Sequence, residues 1–200
     1  MTSRFSIFPH NLMRMLTLGL LVLTVAAHPA VAQDGDRPMN WMDVQLLKRA
    51  GSFDPSPDGQ WMLYTVSTPD WEEAESQSDI HLVNILEGYT SSRQLTFTDD
   101  ESEGSPTWAP DGSFFLFSSS RDAGNGMRGS QIFYMQVDGG EARRITDARE
   151  GVSGFEFSPD GQWRAYRSGP SGQAQLYRLP VNALFEAQAE QLTDHDAGVQ

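Results

Sequence analysis

Carboxylates are the side chains of this 200-residue chain best placed to do chemistry. Asp70-Trp71-Glu72-Glu73-Ala74-Glu75 and Asp99-Asp100-Glu101-Ser102-Glu103 each crowd acids into a few positions. Clustered carboxylates attract a cationic group, so the first run, which holds Glu72 and Glu73, is the stronger candidate for ligand binding. The ordinary reading of such a run is a solvated loop between strands. The second run has the same ordinary reading, with a cation site as its alternative, although a calcium loop would alternate its ligands around a glycine bend. His81 and His195 have no neighbour at metal-ligand spacing, so no metal and no cofactor is expected. Gly169-Pro170-Ser171-Gly172-Gln173 approaches the Gly-x-Ser-x-Gly hydrolase elbow but lacks its last glycine. Ser171 is therefore read as a turn residue, and no catalytic residue is assigned.

These residues must be carried by strands, because the chain repeats. Ser56-Pro57-Asp58-Gly59 returns as Ala109-Pro110-Asp111-Gly112 and again as Ser158-Pro159-Asp160-Gly161, about fifty residues apart. Proline presets φ at the second position of a type I turn, serine suits the first and glycine the fourth. The aspartates Asp58, Asp111 and Asp160 are thus turn residues, and Ala109 gives up only the serine side-chain bond. Each turn joins an aromatic phrase to a second run, 60–67, 113–120 or 162–169. A third phrase follows at 79–83, 131–135 and 175–179, and a fourth at 93–96, 143–146 and 190–193. Four short strands per unit make a β-propeller blade.

The fold expected is all-β: about three four-stranded blades of a larger propeller, near 51–98, 104–147 and 152–194 within a partial propeller over 51–200. Trp61-Met62-Leu63-Tyr64 and Phe114-Phe115-Leu116-Phe117 are apolar at successive positions, which predicts burial on both faces. Trp163-Arg164-Ala165-Tyr166-Arg167 is more polar and is expected to meet a wetter surface or a partner. Trp108 and Phe157 read as packing between blades. Segments 68–78 and 121–129 read as loops interrupting blades. Residues 33–50 form an entry segment, with Asn40 capping a short rim helix, Asp43 in its first turn, Val44 and Leu47 on one face and Gly51 at its end.

Residues 1–32 read as a cleavable signal peptide. Arg4 and Arg14 precede an apolar run at 15–27, and Ala30-Val31-Ala32 offers small residues for cleavage after Ala32. About a dozen apolar residues fall short of the roughly 20 that span a bilayer. A periplasmic or secreted protein with no membrane anchor is expected, held together without disulfides because cysteine is absent. The net charge of −13 argues against nucleic acid and anionic membrane partners. Gly198-Val199 aligns with Gly151-Val152, so a fourth blade is expected to follow, and the chain to be the N-terminal piece of a longer protein.

Over residues 40–200 the chain resembles the exported serine peptidases of the prolyl oligopeptidase family. The likeness is carried by Asp43-Val44-Gln45-Leu46-Leu47-Lys48-Arg49, the phrase 53–67 and Ser78-Asp79-Ile80-His81-Leu82-Val83. The Ser-Pro-Asp-Gly units are shared with other WD40-like propellers, including the periplasmic propeller of the Tol system. The resemblance implies a propeller that filters access to a C-terminal α/β-hydrolase domain with a Ser-His-Asp triad, cleaving short peptides after proline or a similar residue. It also implies a role for Glu72 and Glu73 in holding a substrate's free amine. The rival is a non-enzymatic propeller that binds protein partners.

Overall fold

The computed structural model describes residues 37–99, 101–121, 126–196 and 198–199. The leader 1–32 with its cleavage point, and the middle of the 121–129 loop, lie outside the described residues.

Chain order begins with a helix, α1 (Trp41–Gln45). The Asn40 side chain accepts from the Met42 and Asp43 N–H groups while Asp43 accepts from the Asn40 N–H, a reciprocal capping box. The cap is as expected, but the helix ends at Leu46 rather than at Gly51 and buries none of its residues. Gly51 instead pairs with Thr65 in the first strand ladder, which claims the backbone that a longer helix would need. Val44 and Leu47 are exposed, so α1 is not a packing helix.

Blade 1 consists of β1 (Arg49–Pro55), β2 (Trp61–Asp70), β3 (Glu75–Asn84) and β4 (Arg93–Gln94). Blade 2 consists of β5 (Glu103–Trp108), β6 (Phe114–Ser119), β7 (Gln131–Gln136) and β8 (Arg143–Arg144). Blade 3 consists of β9 (Val152–Phe157), β10 (Trp163–Ser168), β11 (Gln175–Pro180) and β12 (Glu190–Gln191). Each is a four-stranded antiparallel sheet whose strands follow chain order. One expected loop is corrected. Most of 68–78 is a two-stranded extension of β2 and β3, paired from Ser67↔Ser78 to Asp70↔Glu75.

Three devices recur in every blade. The first is the turn: Gly59, Gly112 and Gly161 donate backbone N–H to Ser56, Ala109 and Ser158, with φ near +70° that glycine adopts without strain. Asp58 accepts from Ser56 Oγ and the Gln60 N–H, and Asp160 accepts likewise from Ser158 and Gln162. Where Ala109 replaces serine, Ser113 supplies the hydroxyl to Asp111 instead. The second device is a threonine just after each fourth strand. The Oγ1 of Thr96, Thr146 and Thr193 accepts the N–H of Ile80, Ile132 and Leu176, each at 2.9 Å. The third is an irregularity in each first strand, with Ser52, Ser105 and Gly154 at positive φ where the register with the second strand slips.

Strand alternation builds the two seams between blades. Phe115 and Phe117 point from β6 into a core with Leu63, Ile80 and Leu82 of blade 1, together with Trp108, Phe133 and Met135. Phe114 and Leu116 point the other way, into a core with Ile132 and with Tyr166, Leu179 and Leu184 around blade 3. Both faces of β6 are buried, as its sequence predicts, but in the matching run of β2 only Leu63 is buried and Trp61, Met62 and Tyr64 are half-buried. The third copy departs from expectation at Arg164, which is fully buried, whereas Trp163, Ala165 and Arg167 on the other face of β10 are only half-buried.

Candidate functional site

The acidic run at 70–75 is the tip of the β2–β3 extension. Asp70 Oδ1 accepts the N–H groups of Glu72 and Glu73, at 2.9 and 3.2 Å, which spends that carboxylate on closing the turn. Ala74 takes φ of 56° to bring the chain back. Glu72, Glu73 and Glu75 are left exposed at the apex.

The sequence treats the two acidic runs as separate, yet the fold brings them to one groove of about 630 Å³. Ser102 is the connecting residue. Its Oγ accepts the Ser78 N–H at 3.1 Å and donates to the Ser76 carbonyl at 3.2 Å, binding the chain just before β5 onto the hairpin. Asp99 and Glu101 therefore share a groove with Glu72, Glu73 and Glu75, and Ser120 lines it beside Glu101, to which its hydroxyl is hydrogen-bonded. The concentrated negative charge suits a cationic group. Among the described residues no three His, Asp or Glu side chains are arranged to hold a metal ion.

Within the second run the solvated-loop reading needs correction at Glu103. Its side chain is fully buried and takes charge-assisted hydrogen bonds from Arg121, supplemented by Ser119 and Thr98 hydroxyls. Arg121 in turn lies over the Phe117 and Phe133 rings. Glu103 is thus spent on holding blade 2 together. Asp100 lies outside the described residues.

The remaining candidates are placed elsewhere. Ser171 sits in the β10–β11 hairpin turn, where the Gln173 N–H closes onto the Pro170 carbonyl; this is not the strand-to-helix turn of a hydrolase nucleophile. His81 lies tilted against Tyr64, with ring centroids 5.4 Å apart, outside the core shared with blade 2. Burial pushes its pKa down, with Asp79 raising it and Lys48 lowering it. His195 is tied by its backbone to Gln175 in the terminal turn. Trp108 is buried between blades 1 and 2, and Phe157 packs against the core between blades 2 and 3.

No family model matches the chain. In sequence it is 32% identical over 108 residues to the uncharacterized peptidase YuxL of Bacillus subtilis, covering 54% of this chain and 15% of that protein. It is 26% identical over 120 residues to dipeptidyl-peptidase 5 of Porphyromonas endodontalis, covering 60% of this chain and 16% of that protein. In fold it resembles TolB from Acinetobacter baumannii, with a TM-score of 0.53 and 24% identity over 72% of this chain and 32% of the other. A Mycobacterium tuberculosis puromycin-hydrolyzing peptidase aligns with a TM-score of 0.56 and 15% identity, over 74% of this chain and 24% of the other. The chain spans no more than about a third of any of these proteins. The blades are those of a β-propeller, and the chain is similar to the propeller part of such peptidases.

Proposed function

We propose that this chain is the propeller portion of an exported serine peptidase of the prolyl oligopeptidase family acting on short peptides. In this reading the propeller gates substrate entry and docks on a C-terminal α/β-hydrolase domain of the same protein, which carries the catalytic triad. The observation that carries the reading is the shared acidic groove, lined by Glu72 and Glu73 at the hairpin tip together with Asp99 and Glu101. A groove of that charge favours a peptide's free amine over its carboxylate. The named peptidases among the sequence relatives support the same reading.

Glu72→Gln together with Glu73→Gln in the full-length enzyme tests it. The Michaelis constant for free-amine peptides is expected to rise by about tenfold, with little change for amine-blocked peptides. Unchanged constants for both would remove the groove from substrate binding. Export belongs to the same proposal, with cleavage after Ala32 leaving Gln33 as the new terminus. Mass spectrometry of the exported protein checks it, and retention of residues 1–32 would refute it.

A second reading, a propeller that binds protein partners without catalysis, is favoured by the likeness to TolB. Peptide hydrolysis by the purified full-length protein separates the two readings, since the binding protein would have none.

A further inference from the structure

Arg164 has no counterpart in the other blades: its place in the repeat is held by Met62 in blade 1 and Phe115 in blade 2. Its guanidinium carbon lies 3.8 Å from the centre of the Phe155 ring and 4.8 Å from that of Phe157, inside the seam between blades 2 and 3. The residue is completely buried, and Nε, Nη1 and Nη2 all lack a hydrogen-bond partner among the described residues. Burial pushes its pKa down to about 9, with Glu156 pulling the other way, which still leaves it charged at neutral pH. Ring faces compensate a buried cation only in part, and a guanidinium has five N–H donors to satisfy.

The same seam is interrupted further along. Tyr166, two residues on and on the same face of β10, lines a cavity of about 490 Å³ with Ile145, Asp147 and Glu150. The seam between blades 1 and 2 also borders a cavity, of about 410 Å³ between Trp61 and Leu82 on one side and Gln136 and Val137 on the other, but it encloses no unbonded ion: Trp108 bonds across it to Asp54, and the neighbouring buried carboxylate of Glu103 is matched by Arg121.

We propose that the seam between blades 2 and 3 is a built-in opening device: it parts ahead of the first seam, and Arg164 gains its hydrogen bonds only when it does. Closed, the seam is held by apolar packing, the Val152–Ser130 backbone bond and Arg143 over Phe185, against an unsatisfied ion. Opened, it hydrates the guanidinium and widens the adjoining cavity. This inference does not depend on the peptidase reading, since it rests on the described blades alone.

Hydrogen–deuterium exchange on the full chain tests it, with blade 1 as the internal control. Amides of β9, β10 and β11 are expected to exchange at least about tenfold faster than those of β1, β2 and β3. Arg164→Met, which keeps the length and drops the charge, is expected to slow blade 3 by about tenfold and leave blade 1 unchanged. Equal protection of the two blades in the unaltered protein overturns the proposal without any variant. Faster exchange of blade 3 in Arg164→Met, or equal slowing of every blade, also overturns it.

Discussion

Blade 1 meets blade 2 through apolar packing stitched by polar bonds, whereas blade 2 meets blade 3 through apolar packing that encloses an unbonded cation. At the first seam the innermost strands are joined directly, because the Trp108 N–H donates to Asp54 Oδ2 at 2.7 Å and its indole Nε1 donates to the Asp54 carbonyl at 3.0 Å. The corresponding places at the second seam are Thr107 and Phe157. Thr107 turns its hydroxyl back to the Ser105 carbonyl, and phenylalanine has no ring N–H to offer. The second seam does have its own contacts, with the Val152 N–H donating to the Ser130 carbonyl and Arg143 stacked on Phe185 at 3.7 Å. The difference teaches that a repeat can keep its turns while its interfaces diverge, so that adjoining blades are unequal in strength.

The largest effect should come from the first seam's core. Phe117 is fully buried, stacks on Phe133 at 5.7 Å and supports Arg121. Phe117→Ala is expected to cost about 3–5 kcal/mol in urea denaturation, more than Leu179→Ala at the second seam. Equal costs would break the comparison. Next comes the ion pair. Glu103→Gln leaves Arg121 facing a neutral partner and is expected to cost about 3 kcal/mol, the lower end for a broken buried pair, since the Arg121 side chain is 21% exposed. Asp54→Ala then strands the Trp108 N–H at the innermost strands, for about 1–3 kcal/mol. If that variant matches the unaltered protein in stability, the polar stitch adds nothing to the first seam.

How much of this the sequence discloses depends on how far apart the interacting residues lie. The Ser-Pro-Asp-Gly turns, the four strands per blade and the two-sided burial of Phe114 to Phe117 follow from local chemistry and period, and the structure agrees. The bulges at Ser52, Ser105 and Gly154 recur four residues before each turn, yet their residue types differ, so no shared letter marks them. Thr96, Thr146 and Thr193 recur visibly, but only the ladder geometry explains why a threonine is useful there. At the groove, the acidic tip is legible as charge, while its partnership with Asp99 and Glu101 depends on Ser102 reaching backbone groups some two dozen residues earlier. Glu103 and Arg164 are misread for one reason: pattern reading sends charged residues to solvent, and only tertiary packing supplies Arg121 to the first and aromatic rings to the second.

The smallest effect is in pH dependence, where the first seam and the turns pull in opposite directions. Hydrogen bonds hold the turn carboxylates below their ordinary value, led by the Ser56 hydroxyl at Asp58, the Ser113 N–H at Asp111 and the Ser158 hydroxyl at Asp160. A carboxyl depressed by folding adds stability that is complete above its unfolded pKa and fades as pH falls through the folded one. Asp54 has the opposite sign, because burial raises it more than the Trp108 N–H lowers it. The folded state therefore holds that proton more tightly, and the stability it confers is present in acid and lost as pH rises through the folded pKa. In acid the two contributions oppose each other. Asp54→Asn, which keeps an acceptor for Trp108, is expected to steepen the loss of stability in acid, and Asn at 58, 111 and 160 together to flatten it. Urea midpoints measured from neutral to acid pH read both slopes. A flatter curve in Asp54→Asn would mean that its carboxylate is stabilised by the seam, and that the stitch to Trp108 outweighs the burial of its charge.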